Sequence, residues 1–324
     1  MVSAFNISTR FVLLGLVELE KQKYLYFSLC TIVYMFILAL NGVIIFAVLK
    51  DRSLHEPMYI LIASLLFNEI FGSSSFFPKF IIDLITSSKE ISRTECLIQI
   101  LCISTFAFLE MNTFTIMAYD RYLAVCQPLQ YAMIITNEKI MKITYGCWGI
   151  TFVILILLLL LTASLPQCGN KINNIFCENM SLVVLSCIDS SNSSLLSVAV
   201  FFTCLFTTIL VTVISYSKIF FVCVKLSRES RQKAVHTIMT HLLSFSVFLI
   251  GVLFVVFRYR LGNVTLPLTV HVLLSATPLV VPPLLNPLIY GVGTHVLKLR
   301  LRKYLRKVNL SGEWRQIHIP PTKS

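Results

Sequence analysis

Met117-Ala118-Tyr119-Asp120-Arg121-Tyr122-Leu123-Ala124-Val125-Cys126 closes an apolar run that begins near Cys96. It sets an acid beside an arginine where that run is expected to leave a lipid bilayer. An ion pair is expensive to hold in hydrocarbon but tolerable at the bilayer edge, where its heads reach water. A pair placed there can lock a helix end in one state and release it in another. Asp120, Arg121 and Tyr122 are therefore a candidate latch, although an ordinary solvated helix terminus has the same spacing.

Composition agrees with a membrane setting. The chain of 324 residues is 56% hydrophobic and only 13% charged, with a mean hydropathy of +0.83. Soluble domains average roughly 45–50% apolar and about 25% charged residues. Seven apolar runs are expected near 24–49, 57–85, 94–122, 140–165, 195–223, 234–257 and 267–290. Each is long enough to span as a helix, the only open-chain conformation that satisfies its own backbone in lipid. The short alternating segments of a membrane-spanning barrel are absent. The fold expected is an all-α membrane protein, a seven-transmembrane helix bundle with a short amphipathic C-terminal helix.

Lys and Arg set the orientation. The segments 50–56, 121–142, 218–233 and 298–324 carry 18 of them, against 8 in 1–23, 86–96, 166–194 and 258–266. The excess puts the C-terminus in the cytosol and the N-terminus outside. The net charge of +12 belongs to this topology, and binding of nucleic acid is not expected. Residues 1–23 then form an extracellular N-terminus, 24–290 the seven-span domain, and 291–324 a cytoplasmic amphipathic helix and tail. No cleavable signal peptide is apparent, so the first span is expected to serve as its own insertion signal. Asn6, followed by Ile7 and Ser8, is a glycosylation acceptor on the outer side, as are Asn179, Asn192 and Asn263. From Thr294 to Lys307 apolar and basic residues alternate, the pattern of a basic amphipathic helix on the inner leaflet or of a solvated basic tail.

Of ten cysteines, Cys96, Cys168, Cys177 and Cys187 fall on the outer, oxidising side. Four cysteines allow three pairings, and spacing does not choose among them. Within the spans, Glu69 and Glu110 stand in mid-run. Two ionised carboxylates that meet in hydrocarbon repel, so either they hold a proton or a cation intervenes. A small cation such as Na⁺, shared with Asn286, is the expectation, and a protonated hydrogen-bonded pair the alternative. Pro287, after Asn286, is expected to kink the last helix. Tyr290 then lies on a swinging end, within reach of Tyr216 through water, although both tyrosines also suit a membrane interface.

A small-molecule pocket is expected toward the outer side. Ser104, Ala107 and Phe108, with Phe201, Phe202, Phe254 and Val255, offer apolar walls with few polar anchors. Arg258 and Arg260 stand just beyond the sixth run, and the Arg260 guanidinium can clamp a carboxylate in two places or simply snorkel to the interface. No nucleophile–base pair, phosphate loop or zinc motif is present, so the chain is not expected to be an enzyme.

These stretches together resemble vertebrate olfactory (odorant) receptors, a branch of the rhodopsin-like G-protein-coupled receptors. The similarity is carried by Leu54-His55-Glu56-Pro57-Met58-Tyr59, by Met117 to Cys126 continuing through Pro128-Leu129-Gln130-Tyr131, and by Ser215-Tyr216. It extends to Lys233-Ala234-Val235-His236-Thr237 with His241-Leu242, to Pro283-Leu284-Leu285-Asn286-Pro287-Leu288-Ile289-Tyr290, and to Phe11-Val12-Leu13-Leu14-Gly15. The resemblance implies disulfides Cys96–Cys177 and Cys168–Cys187, and an ion site at Glu69 and Glu110. It implies an odorant as ligand, a heterotrimeric G protein of the olfactory stimulatory type as partner, a rise in cAMP, and residence in the plasma membrane. Lys233, His236, Thr237 and His241 would line the G-protein groove or hold it shut. The chain departs from the family in carrying Glu69 where Asp is usual, and Phe248-Leu249-Ile250-Gly251 where many members have Phe-Tyr-x-Pro. Arg258-Tyr259-Arg260-Leu261-Gly262 is closer to the fish-like class I subgroup, in which an arginine at this place binds carboxylates, so an acidic or amino-acid-like ligand is one expectation. An ion-coupled transporter or channel using Glu69 and Glu110, or a non-olfactory receptor of the same superfamily, are the rival readings.

Overall fold

A computed structural model describes residues 9–188, 190–224, 228–260, 268–293 and 296–300, with a few side chains inside those segments left aside. Its elements run β1 (Arg10–Leu13), α1 (Leu14–Leu19), α2 (Lys23–Lys50), α3 (Pro57–Thr86), β2 (Glu90–Ser92) and α4 (Arg93–Cys126). They continue as α5 (Pro128–Ile134), α6 (Asn137–Ala163), β3 (Lys171–Ile172), α7 (Asn179–Val184), α8 (Ser191–Cys223), α9 (Arg228–Arg260) and α10 (Leu268–Gly293). The seven long helices α2, α3, α4, α6, α8, α9 and α10 fall on the seven expected runs. Among the described residues, five spans are long and apolar enough to cross a membrane, and α9 carries a shorter apolar stretch, Ile238–Phe254.

Local chemistry explains where several helices begin. At α4, the Ser92 hydroxyl accepts from the Glu95 amide (3.2 Å) while the Glu95 carboxylate accepts from the Ser92 amide (2.9 Å), a reciprocal cap. Thr136 caps α6 by accepting from the Lys139 amide at 3.2 Å. Pro57 opens α3, where its missing N–H is no loss. Helix α4 is the axis of the bundle, packed against α3, α6, α8 and α9.

Helix α10 contains Pro278, Pro282, Pro283 and Pro287, and each removes a donor to the carbonyl four residues earlier. Two of those carbonyls are served from neighbouring helices. Asn41 of α2 donates to the Pro283 carbonyl at 2.9 Å, the group that Pro287 leaves bare. Ser73 of α3 donates to the Leu279 carbonyl at 3.4 Å, the group that Pro283 leaves bare. Side chains thus replace the lost ladder bonds in a medium that offers no water. Asn41→Leu orphans a buried carbonyl and is expected to cost about 1–3 kcal/mol, read as a lower melting temperature of the purified protein in nanodiscs.

The core has two large parts. One, at the end that carries the disulfides, gathers Phe11, Phe76, Phe77, Phe80, Phe106 and Phe176 with Val272 and Leu279. The other, toward the opposite end, gathers Leu65, Phe114, Phe245, Phe248 and Tyr290. Residues 10–22, within the expected N-terminal segment, are folded onto the bundle. β1 is the centre of a three-stranded sheet in the order β2-β1-β3, antiparallel to β2 and parallel to β3. Residues 296–300 are helical, and Arg300 pairs with Asp51 at 3.5 Å. The rest of the expected amphipathic helix, 294–295 and 301–307, lies outside the described residues, as do Asn6 and Asn263.

Candidate functional site

A cavity of about 230 Å³ lies near the disulfide end, between α4, α6, α8, α9, α10 and the α6–α8 loop. Five of the expected residues meet there: Ser104, Ala107 and Phe108 from α4, and Phe201 and Phe202 from α8. On α4 the spacing of three and four residues turns Ser104, Ala107 and Phe108 to one side. Phe108 and Phe201 meet edge to face with centroids 6.1 Å apart. Phe254 does not line the cavity. Val252, two residues earlier and on the facing side of α9, stands in its place. The side chains of Val255, Arg258 and Arg260 lie outside the described residues, as do those of Lys233, His236 and Thr237.

Other walls had no signal in the sequence. Leu155 and Leu159 come from α6, Pro278 and Leu279 from α10, and Phe176 from the loop. The loop is held by two disulfides, Cys96–Cys177 and Cys168–Cys187. Gln99 of α4 adds a further tie, its side-chain oxygen accepting from the Cys177 amide at 2.8 Å. The polar groups of the lining are Ser104, Glu178, Asn179, Ser197 and Ser275. Asn179 accepts from Thr162 (2.7 Å) and donates to Ser197 (3.2 Å), and Glu178 accepts from Asn174 (2.7 Å). Asn179 is half-buried, with both ends of its amide bonded to protein groups. Asn192 is exposed at the start of α8.

A buried polar column continues from mid-bundle toward Asp120. Glu69 accepts from the Asn286 amide nitrogen, and the Asn286 oxygen accepts from Ser244. Glu110 accepts from Asn68 at 2.9 Å. The remaining oxygens, Glu69 Oε2 and Glu110 Oε1, are buried and receive no hydrogen bond. Two such oxygens suit a small cation or a proton. Asn286 is engaged at both ends of its amide by protein groups, and its oxygen keeps a second lone pair. Among the described residues no group of three or more His, Cys, Asp or Glu side chains is gathered for a metal ion.

At the far end, Asp120 pairs with Arg121 at 3.5 Å and accepts from the Tyr131 hydroxyl of α5 at 2.8 Å. Burial, and then the Asp120 carboxylate, push the Tyr131 phenol up, which keeps it a donor. The pair lies more than a turn inside the end of α4, and Asp120 is only 1% exposed. With Arg121 17% exposed, the pair is partly buried. Tyr216 has its partner on α9. Its hydroxyl bonds His241 Nδ1 of α9, while the Tyr290 hydroxyl is buried without a hydrogen bond. Pro287 follows Asn286 in the same stretch of α10, one turn before Tyr290.

Fold and site together define a helical membrane bundle with a roofed apolar cavity at one end and the Asp120–Arg121 pair at the other. The family model for olfactory receptors matches residues 29–307. Olfactory receptor 6Y1 of Homo sapiens is 32% identical over 304 residues, covering 93% of this chain and 93% of its own length. Olfactory receptor 52B6 of Homo sapiens is 36% identical over 265 residues, 81% of this chain and 79% of its own. Olfactory receptor 4B13 of Mus musculus is 32% identical over 306 residues, 92% of this chain and 96% of its own. The chain belongs to the olfactory receptor family, and it is a membrane receptor rather than an enzyme.

Proposed function

We propose that this receptor lies in the plasma membrane with its N-terminus outside, takes a small odorant into the cavity, and activates a stimulatory olfactory-type G protein that raises cAMP. The observation that carries the reading is the cavity, apolar on most sides, with Ser104, Ser197 and Asn179 as polar points. Such a lining suits a mainly hydrocarbon ligand with one hydrogen-bonding group. The ligand acts by binding one conformation better than another, so that a minor state of the bundle gains population. In that state α9 moves away at the Asp120 end, Arg121 is released, and a groove opens for the G protein. Ligand and G protein then raise each other's affinity by the same factor.

The described part of α9 bears on this motion. Tyr216–His241 and Ser244–Asn286 tie α9 to α8 and α10, so these bonds must break or be exchanged when α9 swings. Glu69 and Glu110 fit a small cation through their unpartnered oxygens. Na⁺ held there, with one of the two carboxyls keeping its proton, would leave the site without net charge and favour the arrangement in which the column is closed.

A carboxylate or amino-acid-like ligand requires a cation, and Arg260 is the residue proposed for it, with Arg258 beside it. The test is a panel of neutral odorants and carboxylic acids applied to cells expressing the chain, read out as cAMP. Arg260→Ala is expected to abolish responses to acids, a loss of about tenfold or more in potency, and to spare neutral odorants. Acid responses unchanged in Arg260→Ala remove the clamp. A ligand-linked current in place of cAMP replaces the receptor reading with a channel or transporter.

A further inference from the structure

An extracellular tail with no task beyond insertion has no reason to bury its apolar residues. Here Phe11 is 0% exposed and Leu13 and Leu16 are nearly so. The backbone is held from several sides. Val12 donates to the Asn170 carbonyl (2.7 Å), Leu13 to Lys89 (2.8 Å) and Gly15 to Asn174 (3.2 Å), while Arg93 donates to Thr9 (2.9 Å). Residues 9–19 therefore join the α3–α4 loop, the α6–α8 loop and, through α1, the start of α10.

Gly15 is the point where these parts come closest. A Cβ there would lie 2.6 Å from Ile175 Cγ2, 2.8 Å from Val272 Cγ2 and 2.9 Å from the Asn174 backbone carbon. The methyl groups can give way by a side-chain rotation, but the Asn174 backbone cannot move without moving its loop. The next residues in that loop are Ile175 and Phe176, and Phe176 lines the cavity. Val272 belongs to α10, whose Ser275, Pro278 and Leu279 line the same cavity. The absent side chain at Gly15 thus sets the spacing of one roof residue and one wall helix at once.

We propose that residues 9–19 form a clasp that fixes the roof loop and the start of α10 over the cavity, with Gly15 as a positioning residue for the response to ligand. The inference rests on the reading of that cavity as the odorant site. An added side chain at Gly15 forces Asn174 and Val272 apart, so the cavity loses the shape in which it binds best.

The test uses the full-length receptor, in cells for signalling and in nanodiscs for hydrogen exchange without ligand. In Gly15→Val the amides of residues 170–177 are expected to exchange at least about tenfold faster. The half-maximal odorant concentration, at matched surface amount, is expected to rise by about tenfold or more, as for a site whose competent conformation has become a minor one. Where Gly15→Val is retained inside the cell, Gly15→Ala carries the same two readouts. Adding Ile175→Ala and Val272→Ala to Gly15→Ala clears the two methyl groups but not the Asn174 backbone carbon, so both readouts are expected to stay altered.

Wild-type exchange and wild-type potency in the Gly15 variants overturn the clasp. Faster exchange with unchanged potency overturns its part in the response. A wild-type receptor silent to every odorant, with exchange still accelerated in the variant, counts against the odorant reading and in favour of the clasp.

Discussion

Arg121→Ala is expected to abolish the odorant-evoked rise in cAMP in a receptor that still reaches the cell surface, and Asp120→Asn to raise the signal without odorant. The expectation follows from how Asp120 is held. Its carboxylate is buried, pairs with Arg121 at 3.5 Å and accepts from Tyr131 at 2.8 Å. Asn at this position keeps the shape and an acceptor for Tyr131 but removes the charge that restrains the guanidinium. A partly buried pair of this kind is worth about 1–3 kcal/mol, which moves a two-state population by about 5–150-fold. Basal cAMP normalised to surface receptor reads the effect directly. No change in Asp120→Asn, or an odorant response retained in Arg121→Ala, removes the latch.

Cys96→Ser is expected to leave the receptor inside the cell. The Cys96–Cys177 bond spans 81 residues of sequence and anchors the loop that supplies Phe176, Glu178 and Asn179 to the cavity. Loss of a native disulfide of this kind costs about 2–5 kcal/mol, a large share of a folded domain's stability of roughly 5–15 kcal/mol. Both sulfurs are buried in the aromatic core beside Phe76 and Phe176, so the serine hydroxyl would also need a partner that the site does not offer. Surface staining of intact cells, compared with total receptor, measures the outcome. Surface staining equal to wild type contradicts the tether.

The long helices were legible because lipid leaves the backbone a single solution, and run length sets the ends to within a few residues. Ser104, Ala107 and Phe108 were legible for a related reason, since one helix period places them on one side. What escaped depends on partners distant in sequence. Nothing near Asn41 or Ser73 says that they serve carbonyls bared by prolines more than 200 residues away. The pairing of Tyr216 with His241 depends on the rotation of α9 against α8, which periodicity does not fix. The buried N-terminal strand was masked by its neighbours Arg10, Glu18, Glu20 and Lys21, whose charges make the stretch look solvated. Its apolar residues, Phe11, Leu13 and Leu16, were the available signal.

The most direct measurement is the odorant dose–response of Ala107→Trp against wild type, read as cAMP at equal surface amount. Ala107 lines the cavity and an indole there occupies a large part of its 230 Å³. Odorants that activate the wild type should lose potency by about a hundredfold or fail altogether, as expected when a bulky ring competes for the space of the ligand, while signalling without odorant persists. An unchanged dose–response in Ala107→Trp would place the ligand somewhere else and contradict the coupling of this cavity to the Asp120-Arg121 latch.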